Sequence, residues 1–181
     1  DILSAVEKCN ADNIVILPNN KNILLAAQQA AKLVKDTKAH VLPTTTIPQG
    51  ISAMIAYNPS TDIETMLEDM EQAISYVKTG QITHAVRDTM IDGKTIKEGN
   101  FLGILDDEMS VVALELNDAV KELIEAMIDE ESEIISMYYG AEVSQEDAEL
   151  LEQYLEKAYP DCDIEIHSGG QPVYYYIISV E

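Results

Sequence analysis

The feature that most narrows the possible folds is a strand, polar loop and helix, repeated twice near the N-terminus. Asn13 to Leu17 (Asn-Ile-Val-Ile-Leu) is a continuous apolar run stopped by Pro18. Such a run suits a strand buried in a parallel sheet. Asn19-Asn20-Lys21-Asn22 follows, and the Ala-, Leu- and Gln-rich stretch Ile23 to Val34 predicts a helix. Asparagine accepts from the free amides of a first helical turn, so the loop supplies its own cap. His40 to Thr44 predicts a second strand, the loop Thr44 to Gly50 carries three hydroxyls and a rigid Pro48, and a helix runs on to about Tyr57. With residues 2–9 as a short leading helix, the pattern is βαβα, whose crossovers are almost always right-handed.

Beyond Asn58-Pro59-Ser60 the pattern changes. Thr61-Asp62-Ile63-Glu64 has the spacing of a capping box, and the helix behind it puts Ile63, Met66, Leu67, Met70, Ile74 and Val77 on one face. Gly80 is expected to end the following turn. Ile82 to Ile91 reads as an alternating strand, Asp92-Gly93 as a tight hairpin turn, Lys97 to Asn100 as a second turn, and Phe101 to Leu105 and Ser110 to Leu116 as further strands. Asn117 is expected to cap a helix with Val120, Leu123, Ile124, Met127 and Ile128 inward. Glu133 to Tyr139 is a strand, and Ser144 caps a helix with Ala148, Leu151, Leu155 and Ala158 inward. Asp163 to His167 and Val173 to Val180 are strands flanking Ser168-Gly169-Gly170-Gln171-Pro172. The expected fold class is α/β: a parallel βαβα lobe, about 1–80, joined to a mixed or antiparallel α+β lobe, about 81–181, in a single domain of 1–181.

A chain of 181 residues with 46% apolar content is globular in composition. Its net charge of −22 is concentrated late, where residues 115–181 hold 18 carboxylates against Lys121 and Lys157. That field repels nucleic acid and anionic membranes and favours a basic protein partner, or simply keeps the surface soluble. No apolar run is long enough to span a membrane. Asp1 opens directly on a helical pattern with neither Met nor leader, as expected of an excised fragment or mature product. Cys9 and Cys162 are expected to be free thiols in a reducing cytoplasm.

No Walker loop, GxGxxG after a strand, GxSxG elbow, HExxH or CxxC occurs. His40, His84 and His167 are isolated, and Asp106-Asp107-Glu108 reads as a solvated turn rather than a Ca²⁺ site. No catalytic or metal-ligating set is therefore expected. Three loops stand out. Asn19 to Asn22 and Thr44 to Gly50 lie beyond strand ends, where open α/β sheets bind ligands; both also read as ordinary capped loops. His167 to Gln171 has paired glycines that let another surface approach, or form a plain turn. Arg87, the only arginine, either pairs with Asp88 or anchors a partner's carboxylate.

Ile16-Leu17-Pro18-Asn19-Asn20-Lys21-Asn22-Ile23, Thr46-Ile47-Pro48-Gln49-Gly50, Ala85-Val86-Arg87-Asp88 and Gly169-Gly170-Gln171-Pro172, in this order, resemble the C-terminal domain of the ATP-binding subunit of bacterial fatty acid kinase, a dihydroxyacetone-kinase-like family. The resemblance runs over nearly the whole chain. It implies a DegV-like fold and a subunit that phosphorylates the carboxylate of a fatty acid carried by a separate DegV-family protein. Ile177 to Glu181 resembles the family's natural C-terminus. ATP and Mg²⁺ are then expected on an N-terminal domain, and no cofactor on this segment. Asn19 to Ile23 falls where the DegV fold has a Ser-rich head-group loop, but Asn-Asn-Lys replaces Ser-Ser-Gly. His167 to Gly170 falls where that fold has a His/Thr-Gly-Pro-Gly string, and its N-terminal unit with a Thr-Ser-Gln-Pro loop has no counterpart.

The resemblance implies a non-catalytic docking domain that meets the DegV-family fatty-acid-binding protein and the N-terminal and middle domains of its own chain, in the cytoplasm, without nucleic acid or membrane insertion. The expected contact surface is Asn20, Lys21, Thr45, Gln49, Arg87 and Gly170. The alternatives left open are the acidic second lobe as contact surface, a lipid-binding module retaining a DegV-like acyl pocket, and a stand-alone enzyme.

Overall fold

Helix α1 (Ile2–Val6) leads into strand β1 (Asn13–Ile16), helix α2 (Lys21–Leu33) and strand β2 (Lys38–Val41). These belong to the computed structural model of the chain, which describes residues 1–91 and 93–181. β1 and β2 pair in parallel, Asn13 opposite Lys38 and Ile16 opposite Val41. Helices α3 (Ile47–Ile55) and α4 (Ile63–Tyr76) follow. Leu42, Ala53, Met66, Met70 and Ile74 are buried together, with Val15 and Leu17 of the β1 side against them. The cap of α4 is Asp62, which accepts from the amides of Glu64 and Thr65, and not the box expected to start at Thr61. The Asp62 carboxylate, one residue later, takes the free amides of the first turn, and the Thr61 hydroxyl instead donates to the Asn58 carbonyl at 3.0 Å. Asp1–Val77 forms one compact unit and Lys78–Glu181 a second.

The second unit starts with β3 (Lys78–His84), then β4 (Thr89–Ile91), β5 (Lys94–Ile96), β6 (Phe101–Leu105), β7 (Glu108–Ala113), α5 (Leu116–Met127), β8 (Ile134–Tyr139), α6 (Gln145–Ala158), β9 (Asp163–Ser168) and β10 (Tyr176–Val180). Six of these strands form one sheet in the order β7-β6-β3-β10-β8-β9, antiparallel except for β8 with β9; β4 and β5 make a separate hairpin. The mixed α/β architecture is as expected, with local corrections. Gly80 lies inside β3 rather than ending a turn. The strand expected over Ile82 to Ile91 is broken at residues 85–88. Asp92 of the expected hairpin turn lies outside the described residues. The cap of α5 is Glu115, not Asn117. β10 begins at Tyr176, three residues later than expected.

α5 and α6 cover one face of this sheet. Leu123, Ile124, Met127, Leu151 and Leu155 meet Ile82, Ile135, Met137, Tyr176 and Ile178, all buried. Each such side chain removed from water contributes about 1.5–3 kcal/mol. Cys9 and Cys162 are free thiols. Among the described residues, no helix is long and apolar enough to cross a membrane.

Lys78 ties the start of β3 to the end of α5. Its Nζ donates to the Met127 carbonyl at 2.8 Å and to the Asp129 carboxylate. That lysine bond, helped by donors from Glu131 and Ser132, holds the Asp129 carboxyl down at about 2. A carboxyl depressed on folding adds stability above its unfolded value, near 4 in model peptides, and the contribution is lost as pH falls through its folded value. Asp129→Asn should therefore lower the melting temperature most above about pH 4, the gap closing as pH falls to about 2. Thermal melts across that range check this; a gap independent of pH would contradict it.

Candidate functional site

The two parallel strands of the first unit deliver their loops side by side. Asn20 caps α2, its Oδ1 accepting from the Asn22 amide at 2.8 Å. The Asn19 amide donates to Thr44 Oγ1 at 3.1 Å, which ties the loop after β1 to the loop after β2. Asn19 has φ 53°, a left-handed conformation that asparagine tolerates better than most residues. Its side chain packs on Gly50, where an added Cβ would collide with the amide group. Thr46 caps α3 by accepting from the Gln49 amide at 3.4 Å. Gln49 Oε1 reaches back to the Thr45 amide at 2.8 Å and its hydroxyl at 3.0 Å. Thr45 and Gln49 thus satisfy each other as a capping arrangement. Lys21 is exposed in the first turn of α2. Asn20, Lys21, Thr45 and Gln49 are brought together at one end of the first unit's sheet.

Arg87 and Gly170 belong to the second unit. Tyr176 of β10 lies opposite both Ile82 of β3 and Tyr139 of β8, and Ser168 of β9 lies opposite Tyr139. The bend at Val86–Arg87 and the loop at Gly169–Gly170 therefore emerge at the same end of this sheet. Arg87 is exposed, and among the described residues no ion pair holds it; Asp88 instead accepts from the Glu98 amide at 2.8 Å. The amides of Gly169 and Gly170 both donate to the Tyr139 carbonyl, and Gly170 has φ 61°. Gln171 Nε2 donates to the Tyr138 carbonyl at 2.8 Å, and the His167 ring stacks on Tyr138 with centroids 5.4 Å apart. Burial pushes the Tyr138 phenol up, as do the charges of Glu165 and Glu181.

Sequence reasoning missed the apolar side chains at this end. Val86 is 76% exposed, Met90 68% and Val173 67%. Val173 is the central residue of a γ-turn: its φ is 74° and the Tyr174 amide donates to the Pro172 carbonyl at 2.8 Å. That conformation is strained, more so for a β-branched residue. It is held by Thr83 Oγ1, which donates to the Val173 carbonyl at 3.0 Å. Next to it, the Tyr175 hydroxyl lies 3.3 Å from His84 Nδ1, and its ring meets Phe101 edge to face at 5.3 Å. Burial and the neighbouring Glu142 push the Tyr175 phenol up. The only sequence signal for the turn was Pro172 ahead of a run that alternation alone assigned to strand.

This architecture is that of DegV-family proteins. A DegV family protein from Corynebacterium glutamicum superposes with TM-score 0.69 at 15% identity, over 99% of this chain and 77% of that one. The fatty acid kinase B3 protein of Streptococcus pneumoniae, solved loaded with linoleic acid, gives 0.64 at 15% identity over 99% and 74%. Dihydroxyacetone kinase from C. freundii, solved with AMP-PNP and Mg²⁺, gives 0.61 at 13% over 99% and 41%.

Residues 1–181 match the family of FakA-like fatty acid kinase C-terminal domains, and the chain belongs to that family. Over all 181 residues it is 48% identical to protein YloV of Bacillus subtilis and 41% identical to an uncharacterised protein of Staphylococcus aureus USA300. The chain spans about a third of the length of these relatives, 32% and 33%.

Proposed function

We propose that this chain is a non-catalytic docking domain of a fatty acid kinase. It binds a DegV-family fatty-acid-binding protein and presents it to the ATP-binding part of the longer subunit for acyl phosphate formation. The observation that carries this reading is the exposed set Val86, Met90 and Val173 at the same end of the second sheet as Arg87. Apolar surface with an unpaired arginine is the composition of a protein-binding patch. The guanidinium fork can seat a partner's carboxylate with two bonds. Asn20 and Thr46 spend their side-chain oxygens on capping their own helices, and Gln49 Oε1 is taken up by the amide and hydroxyl of Thr45, which supports a binding role over chemistry for the first unit's loops. The acidic charge of the chain would steer a basic partner face into encounter.

Calorimetric titration of the full-length subunit with a purified, lipid-loaded carrier tests the reading. Binding is expected at micromolar affinity, and Arg87→Glu should weaken it about tenfold, or about 1.4 kcal/mol. No heat and no co-elution at roughly tens of micromolar would rule out docking. An acyl chain extracted from the purified domain would favour a lipid-binding module instead, and ATP turnover by residues 1–181 alone would make the chain an enzyme.

A further inference from the structure

The first unit's sheet has an open edge. Among the described residues it holds only β1 and β2, and two-stranded parallel sheets rarely stand alone. The Lys38 amide donates to the Asp12 carbonyl and the Leu42 amide to the Ile16 carbonyl, so the even-numbered residues of the first strand carry the ladder to β2. Asn13, Val15 and Leu17 turn their backbone polar groups the other way, where no described strand pairs. Beside them runs an open groove of about 450 Å³, lined chiefly by Val15, Leu17, Met54, Tyr57, Met66 and Met70. Unpaired strand edges next to apolar surface are the template for strand addition.

The chain's own geometry indicates what fills it. α2 packs against β2, and α3 and α4 take the opposite face with Leu42 and Val15. α1 packs against α2, on the α2 face. β1, α2 and β2 make a right-handed crossover by the general rule. A strand entering α1 from before Asp1 with the same hand, and with its helix on the same face, must land on the side of β1 away from β2. Twelve residues, Asp1 to Asp12, separate such a strand from β1, which is the minimum a parallel crossover takes. The chain spans 32% of YloV, and its family is defined as a C-terminal part, so these longer proteins carry chain ahead of it.

We propose that the stretch of the longer protein immediately ahead of Asp1 forms a strand parallel to β1 on its open edge. Alternate side chains of that strand fill the groove over Met54, Met66 and Met70.

Hydrogen exchange of the full-length subunit, resolved to single amides, tests this without any substitution. The amides of Val15 and Leu17, and a run of about five amides ahead of Asp1, should exchange at least about 100-fold more slowly than free chain. As a second measurement, a cysteine at Met66→Cys, in a Cys9→Ser background, is paired with single cysteines walked along the preceding stretch. Cross-linking should succeed at every second position, the period of a strand. A three-to-four-residue period, or fast exchange at Val15 and Leu17, overturns the proposal. So does protection that depends on protein concentration, which assigns the edge to a second copy, or protection that appears only with added carrier or fatty acid.

Discussion

Replacing Leu123 with alanine is expected to cost the second unit about 2–5 kcal/mol, toward the upper end of the range for buried leucines. The size follows from what surrounds it. Leu123 is fully buried on α5 and fills a notch formed by glycines on two adjacent strands. A Cβ at Gly80 would stand 3.0 Å from Leu123 Cδ2, and one at Gly103 would stand 3.4 Å from Leu123 Cβ. The two glycines have no side chain to swing into the void, so of the groups at Gly80 only the flexible Met127 side chain is left to fill it by a rotamer change. Denaturant unfolding followed by tyrosine near-ultraviolet circular dichroism reads it out, because most of the tyrosines lie beyond Val77. The midpoint should fall at constant slope. Leu123→Met, which keeps the volume, should cost less than about 1.5 kcal/mol. Equal losses for the two variants would contradict the packing account.

The same notch explains one limit of the sequence. Gly80 read as punctuation because glycine most often marks a turn. Its purpose here is to let α5 approach β3, a strand use of glycine that depends on a helix nearly forty residues away. The βαβα unit was legible because Ile14 to Leu17 is an unbroken apolar run with Asn20 behind it to cap α2, and Ser144 marked α6 by the same kind of cap. By contrast β2, Lys-Ala-His-Val, starts two residues ahead of the expected His40. Asn117 misled because cap preference is a matter of a few tenths to about 2 kcal/mol; burial of the Val120–Leu123–Ile124–Met127 face starts the helix earlier, at Leu116. The strand before Tyr176 was overextended because Val-Tyr-Tyr has strand composition while Val173 turns.

The candidate site was legible as loops and not as a surface. Asn20, Lys21, Thr45 and Gln49 were identified by position at strand ends, and they do share one end of a sheet. The sequence did not tell that Gln49 would serve Thr45, since the same residues write both a capping box and a binding loop. Val86, Met90 and Val173 carried no signal, because an apolar residue next to a turn is written the same way whether it faces core or water. The open edge of β1 was also unreadable from within, since what an edge lacks is written elsewhere in the chain.

Gly140→Ala should be the most damaging small substitution outside the core. Gly140 follows β8, and its amide donates to the Tyr175 carbonyl at 2.8 Å. An added Cβ would collide with the Tyr174 carbonyl oxygen and stand 2.8 Å from that of Gln171. Both obstacles are backbone, in a segment already fixed by Ala141 to Gln171, Gln171 to Tyr138 and Thr83 to Val173. No flexible side chain can give way, so the segment from Gln171 to Tyr175 must move. A cost of about 1–3 kcal/mol is expected, with faster amide exchange at Ala141 and Tyr174. Gly170→Ala is the matched comparison: its φ is 61° but nothing stands within 4 Å of an added Cβ. It should incur only the left-handed backbone penalty, about 1–2 kcal/mol. Under the docking reading, Gly140→Ala should weaken carrier binding by at least as much as Arg87→Glu, because it displaces Val173 and the Gly170 loop together. A Gly140→Ala subunit with rapid exchange at Tyr174 and undiminished carrier affinity would move the docking face away from this end of the sheet.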